Sequence, residues 1–140
     1  SYSEVYTGIQ SGVIDGAENS ELALVAMKHG EVATYYTYTQ HQIVPDLLVA
    51  NVRFLEGLSE EEAAVFEEAA RISAGVETQA WAEQIETAKN TAAQQMGVTF
   101  LDTDTEAFRQ LVLPLHEKVL SENPKLKPYY DKIQQIQNEE

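Results

Sequence analysis

From Ser59 to about Gln95 the chain carries helical pattern without a single proline. Few features constrain a fold more. Ser59-Glu60-Glu61-Glu62 forms a capping box, with three acids placed at the positive end of the helix. At 1.5 Å per residue the helix would be roughly 55 Å long. A compact domain of this chain length has a radius of gyration of only about 14 Å. A straight helix would therefore overhang its own domain. Either it bends near Ser73-Ala74-Gly75, or it lies across two lobes. Trp81 on this helix reads as a packing anchor before a ligand stacker.

The remaining segments alternate between helical and extended patterns. Residues 3–11 read as a first helix, with Ser1 and Glu4 at capping-box spacing. Val5, Ile9, Val13 and Ile14 lie on or near one stripe, and Gly12 can stop the helix in a left-handed conformation. A brief buried strand is expected next, then a turn at Asp15-Gly16, with Asn19 capping the following helix. That second helix is expected from Ser20 to about Glu31, with Leu22, Val25, Ala26 and Val32 as its apolar side. Residues 34–41 are rich in β-branched and aromatic types and read as a strand, with Tyr36 and Tyr38 on one face. Pro45-Asp46 breaks the chain. Leu47 to Asn51 suits a strand covered on both faces, and Arg53 to Gly57 a helical turn.

After the long helix, Gly97 acts as a stop and Val98 to Leu101 reads as a short strand. Thr103 and Glu106 have capping-box spacing ahead of a helix bearing Phe108, Leu111, Val112, Leu115 and Val119. Pro114 should kink it, and Asn123-Pro124 ends it. Lys127 to Gln137 is a last amphipathic helix with Tyr130, Ile133 and Ile136 as anchors. Strands separated by helices indicate α/β layering.

Composition narrows the function classes. A chain of 140 residues can hold one sizeable core, burying roughly 70% of its unfolded surface. The formal charge of −14 argues against nucleic-acid binding, which needs clustered Lys and Arg. No cysteine is present, so neither a disulfide nor a thiolate site is available. No apolar run has the length of a membrane span. His29 and His116 lack a companion at metal-ligand spacing. Glu60 to Glu62, Asp102 and Asp104 read as helix-start, turn and cap residues. No metal, cofactor or catalytic residue is assigned.

The run Glu4 to Asn19 carries the sharpest functional signal. Its turn sets Glu18 and Asn19 beside backbone N–H donors at a helix start, where an anion can be held; the alternative is a plain capping turn. The run closely resembles the solute-binding receptor of tripartite ATP-independent periplasmic (TRAP) transporters, dicarboxylate-receptor type. The resemblance rests on Ser3-Glu4-Val5-Tyr6, Gln10, Gly12, Asp15-Gly16 and Glu18-Asn19 in register. Further matches are Thr39-Gln40-His41 with Pro45, Val49-Ala50-Asn51-Val52-Arg53-Phe54 and Leu58-Ser59-Glu60-Glu61-Glu62. Met96-Gly97-Val98-Thr99 and Glu106-Ala107-Phe108-Arg109 complete the set, so the match runs nearly end to end.

The resemblance implies an α/β, helix-rich chain that forms the C-terminal portion of a two-lobed periplasmic-binding-protein-like fold of class II type. In that frame residues 1–58 belong to the second lobe with cleft-lining segments. Residues 59–96 are the long lobe-bridging helix, and 97–140 pack back on the lobes. The family's anion-clamping Arg lies just upstream of the first motif, outside this chain. The chain therefore reads as a fragment, with the N-terminal half of the receptor as its missing partner.

Implied ligand residues are Asn19, Gln40, His41, Tyr2, Glu18 and Asp46. Gln40 stands where the family often has Asn and keeps an amide donor and acceptor. His41 can line the cleft or satisfy a turn carbonyl. Tyr2 can wall the cleft or fray as a terminal residue. Asp46 can accept from ligand hydroxyls, which favours a sugar acid over a simple dicarboxylate, or face water. The implied function is an extracytoplasmic, periplasmic binding subunit, not an enzyme. It captures a small organic acid anion, a sugar acid or C4-dicarboxylate-like compound, and delivers it to TRAP membrane subunits. A helical interaction or scaffold domain is the alternative, but it leaves the Gly12 to Asn19 motif unexplained. Open edges in the isolated fragment should drive dimerisation or swapping.

Overall fold

A computed structural model of the chain describes residues 1–137 and 139. Contacts group these residues into two units. The first comprises residues 1–37 and 44–101, the second 38–43 and the described residues from 102 onward.

The first unit opens with a 3-10 turn, Tyr2–Glu4, that continues into α1, Val5–Ser11. The Ser1 amino group donates to the Glu4 carboxylate at 2.7 Å, as the capping-box spacing requires. Gly12 ends α1 at φ 72°, the left-handed conformation that glycine adopts without steric cost. The expected strand after it does not form. The N–H groups of Val13 and Ile14 turn back to the Gly8 carbonyl, and Val13 is 79% exposed. Ile14 folds onto Gly8 instead of pairing with a strand.

The second expected helix is divided. α2 covers only Leu22–Ala26, and a separate 3-10 turn covers His29–Glu31. Lys28 between them takes φ 60°, which α-helix cannot accommodate. The buried face differs from the expected one as well. Ala23, Leu24, His29 and Gly30 are buried, not Leu22, Val25 and Ala26. The Tyr6 hydroxyl of α1 donates to Glu31 at 3.0 Å and ties that turn to the first helix.

Two strands, β1 (Tyr35–Tyr38) and β2 (Thr99–Asp102), make a two-stranded sheet. β1 is shorter than the expected 34–41. Its half-buried side chains are those of Tyr36 and Tyr38, in keeping with the period of two. The apolar run Leu47 to Asn51 is neither strand nor helix, and Leu47 and Val49 are 77% and 80% exposed. Apolar composition suits this run to a covered strand, but a strand needs a partner to hydrogen-bond and a layer to cover it. Short α3, Val52–Glu56, follows with Asn51 as its cap.

α4 spans Glu60–Gln95, 36 residues, or about 54 Å, without interruption. The Ser59–Glu62 capping box starts it. It ends at Gly97, which takes the left-handed φ of 73°, and the Val98 N–H turns back to the Ala92 carbonyl at 3.0 Å. Only Ala88 and Ala92 of this helix are buried. α2 packs on α4, and Leu24, Ala92 and Val98 form the core with Tyr36, Met96 and Phe100 around them. The first two-thirds of α4 presents Val65, Phe66, Ile72 and Val76 outward, and Trp81 is half-exposed where a packing anchor was expected.

In the second unit α5 covers Thr105–Glu122 and runs unbroken through Pro114. Its cap is Asp104, which accepts from the N–H groups of Glu106 and Ala107, and not Thr103. Asp104 wins because its carboxylate sits one residue nearer the first free donors and carries charge toward the helix dipole. A 3-10 turn at Pro124–Leu126 leads into α6, Lys127–Gln137, at the expected bounds. His116 and Tyr130 meet edge-to-face at 5.7 Å. Ile133 and Ile136, expected anchors, are exposed.

Candidate functional site

The loop between α1 and α2 and the loop leading into β1 enclose a cavity of about 340 Å³ in the first unit. Its apolar wall includes Ile9, Leu24 and Val32; its polar wall includes Asp15, Asn19, Ser20, His29 and Tyr36. The volume lies within the range of small-molecule pockets.

Asn19 is held by three hydrogen bonds. The Ser20 N–H donates to its Oδ1 at 2.8 Å. Its Nδ2 donates to the Tyr2 hydroxyl at 3.1 Å, and its backbone carbonyl accepts from the Tyr36 hydroxyl at 2.7 Å. Because a backbone N–H can only donate, the atom facing Ser20 is the oxygen, which sets the orientation of the amide. An amide offers two donors and two acceptor lone pairs. Contacts among the described residues use one of each, so one donor and one acceptor remain for another molecule.

Tyr2 is not a frayed terminal residue. Its ring meets buried His29 edge-to-face at 6.0 Å while its hydroxyl meets Asn19. Tyr36 packs its ring on Phe100 at 5.5 Å. Burial first, then the charges of Glu21 and Glu18, push the Tyr36 hydroxyl up to about 12, so it stays a protonated donor. Sequence reasoning placed Tyr36 only as a strand residue; its link to Asn19 spans 17 positions and leaves no local signal.

One expected device is absent. Asn19 does not cap α2, whose N-cap is Glu21 without a side-chain cap bond. The helix has five residues, and Glu18 and Glu21 precede it, so its N-terminus offers an anion little attraction. No Lys or Arg lines the cavity, and Asp15 does. An anion would therefore meet no Lys or Arg on this wall.

The other expected residues do not line this cavity. Glu18 is exposed and outside the cavity lining, as is Asp46 in the extended stretch after Pro45. Gln40 and His41 belong to the second unit. There Gln40 takes φ 48°, a left-handed conformation uncommon outside glycine, and the Thr39 hydroxyl shares a hydrogen bond of 2.7 Å with His41 Nδ1. Among the described residues no group of three or more His, Asp or Glu side chains converges as a metal site. No helix among them is long and apolar enough to cross a membrane.

Comparison with known proteins places this chain in a family. Residues 1–123 match the family model of bacterial extracellular solute-binding protein, family 7. The protein YiiZ of Salmonella typhimurium is 39% identical over 138 residues, covering 99% of this chain and 42% of that protein. A TRAP periplasmic solute-binding protein from Anaerococcus prevotii, solved with bound α/β-D-glucuronate, superposes with a TM-score of 0.86 at 46% identity. The match covers 99% of this chain and 44% of that one. A second such protein, from Chromohalobacter salexigens with bound D-glucuronate, gives a TM-score of 0.87 at 33% identity over 96% of this chain and 45% of its own. The chain thus spans less than half the length of the relatives it matches. By sequence and by fold, it belongs to the family 7 bacterial extracellular solute-binding proteins.

Proposed function

We propose that this chain forms part of an extracytoplasmic TRAP receptor that captures a sugar acid and delivers it to membrane subunits. The observation that carries the reading is the oriented Asn19 amide, with one donor and one acceptor uncommitted at a cavity of ligand size. The two glucuronate-bound relatives support a uronate as the ligand class. In this reading residues 1–58 supply cleft-lining segments, 59–96 bridge two lobes, and 97–140 pack back on them. Gln40, His41, Tyr2, Glu18 and Asp46 join Asn19 around the ligand. No Lys or Arg lines the cavity, so in this reading the ligand carboxylate meets its cation elsewhere in the receptor. The role is capture and release, with no catalytic step.

Calorimetry on the full-length receptor with D-glucuronate tests the proposal. Asn19→Ala should weaken binding by about 1.5–3 kcal/mol, the value of a hydrogen bond to a charged group. An unchanged dissociation constant removes Asn19 from the site. Failure to bind any organic acid would favour the scaffold alternative.

A further inference from the structure

We propose that Tyr36 is a positioning residue for ligand binding, acting through its hydrogen bond to the Asn19 backbone carbonyl. This rests on the reading of Asn19 as a ligand-contacting residue and adds a determinant that does not itself need to touch the ligand. Asn19 sits in a loop outside regular structure, between α1 and α2. Ordering such a residue costs backbone entropy, which would otherwise be lost on binding. Tyr36 removes that freedom beforehand. Its own ring is anchored in the core beside Phe100, on the same strand face as Tyr38. Its hydroxyl reaches across 17 positions to the Asn19 carbonyl at 2.7 Å. Core packing is thereby transmitted to a loop amide that keeps a donor and an acceptor for another molecule.

The acids nearby favour this arrangement. Burial, and after it the charges of Glu21 and Glu18, oppose loss of the Tyr36 proton. A phenolate could not donate to a carbonyl, so the clamp holds throughout the neutral range. Tyr2 closes the other side of the amide, but it is half-exposed and less firmly anchored than Tyr36.

The test is a double-mutant cycle in the full-length receptor, read by calorimetry with D-glucuronate. Tyr36→Phe keeps the ring and deletes only the hydroxyl. It should weaken binding about three- to tenfold, the fold-change of one neutral hydrogen bond. In an Asn19→Ala background the same change should have no further effect on affinity, because the side chain being positioned is gone. A merely structural tyrosine would add its loss in both backgrounds. Unchanged affinity in Tyr36→Phe, with Asn19→Ala clearly weakened, overturns the proposal and leaves the ligand role of Asn19 intact. Additive losses also overturn it. Unchanged affinity in Asn19→Ala itself overturns both readings together.

Discussion

Two glycines should respond to the same substitution with opposite signs. Gly30 is buried against the core, and its φ is not in the left-handed region, so an alanine there is limited by space and not by backbone conformation. A β-carbon at Gly30 would lie 2.8 Å from Met96 Sδ, 3.2 Å from the Leu24 carbonyl oxygen and 3.2 Å from Val98 Cγ2. The methionine is flexible and can swing away. The carbonyl belongs to the backbone of α2 and Val98 is held in the core, so neither retreats cheaply. Overpacking of this kind costs about 1–3 kcal/mol. Since the worst clash is with the most mobile atom, Gly30→Ala should destabilise by about 1–2 kcal/mol, at the low end of that range. Gly75 lies inside α4 with nothing within 4 Å of its would-be β-carbon. There alanine restores helix propensity, and Gly75→Ala should stabilise by up to about 1 kcal/mol. Urea denaturation of both variants in one background, followed by circular dichroism, reads the two midpoints against the parent. Midpoints that moved in the same direction, or an unaffected Gly30→Ala, would refute the steric argument.

Three further perturbations follow from the same contacts. Ser59→Ala removes the hydroxyl that caps α4 and should cost about 1 kcal/mol, read as a shift of the urea midpoint; no shift would mean that the cap is dispensable. Tyr36 has its pKa raised from 10.0 to about 12, so its neutral form is favoured in the folded state. Its contribution is fully present below pH 10 and is lost as pH rises from 10 toward 12; Tyr36→Phe should flatten that alkaline limb in a pH series of melting temperatures. The exposed run Ile43, Val44, Leu47, Leu48 and Val49 should make the isolated 140-residue chain self-associate. Light scattering should show concentration-dependent growth that Leu48→Lys with Val49→Lys reduces, and a monodisperse parent would count against it.

Family membership was legible from motif residues, above all Ser3 to Tyr6 and Gly12 to Asn19, before any geometry was known. So were the elements set by their own termini. Ser59 with Glu62, Gly12, Gly97 and the bounds of α6 all act within a few residues. Caps and left-handed glycines satisfy or release nearby backbone groups, so their effect does not wait for distant chain. The failures share the opposite character. Leu47 to Asn51 has strand composition but gains strand structure only against a partner. The second helix breaks at Lys28, and its buried face turns to Ala23 and Leu24, with Leu24 packed in one core cluster with Ala92 and Val98. Asn19 was singled out as a helix cap and is instead a loop amide bonded to Tyr2 and Tyr36, 17 residues away on either side. Local hydrogen bonding decides where a helix starts and stops and can be read in order along the chain. Which side chains meet across a core depends on how those elements pack, and only the tertiary structure brings Tyr2, Asn19 and Tyr36 together.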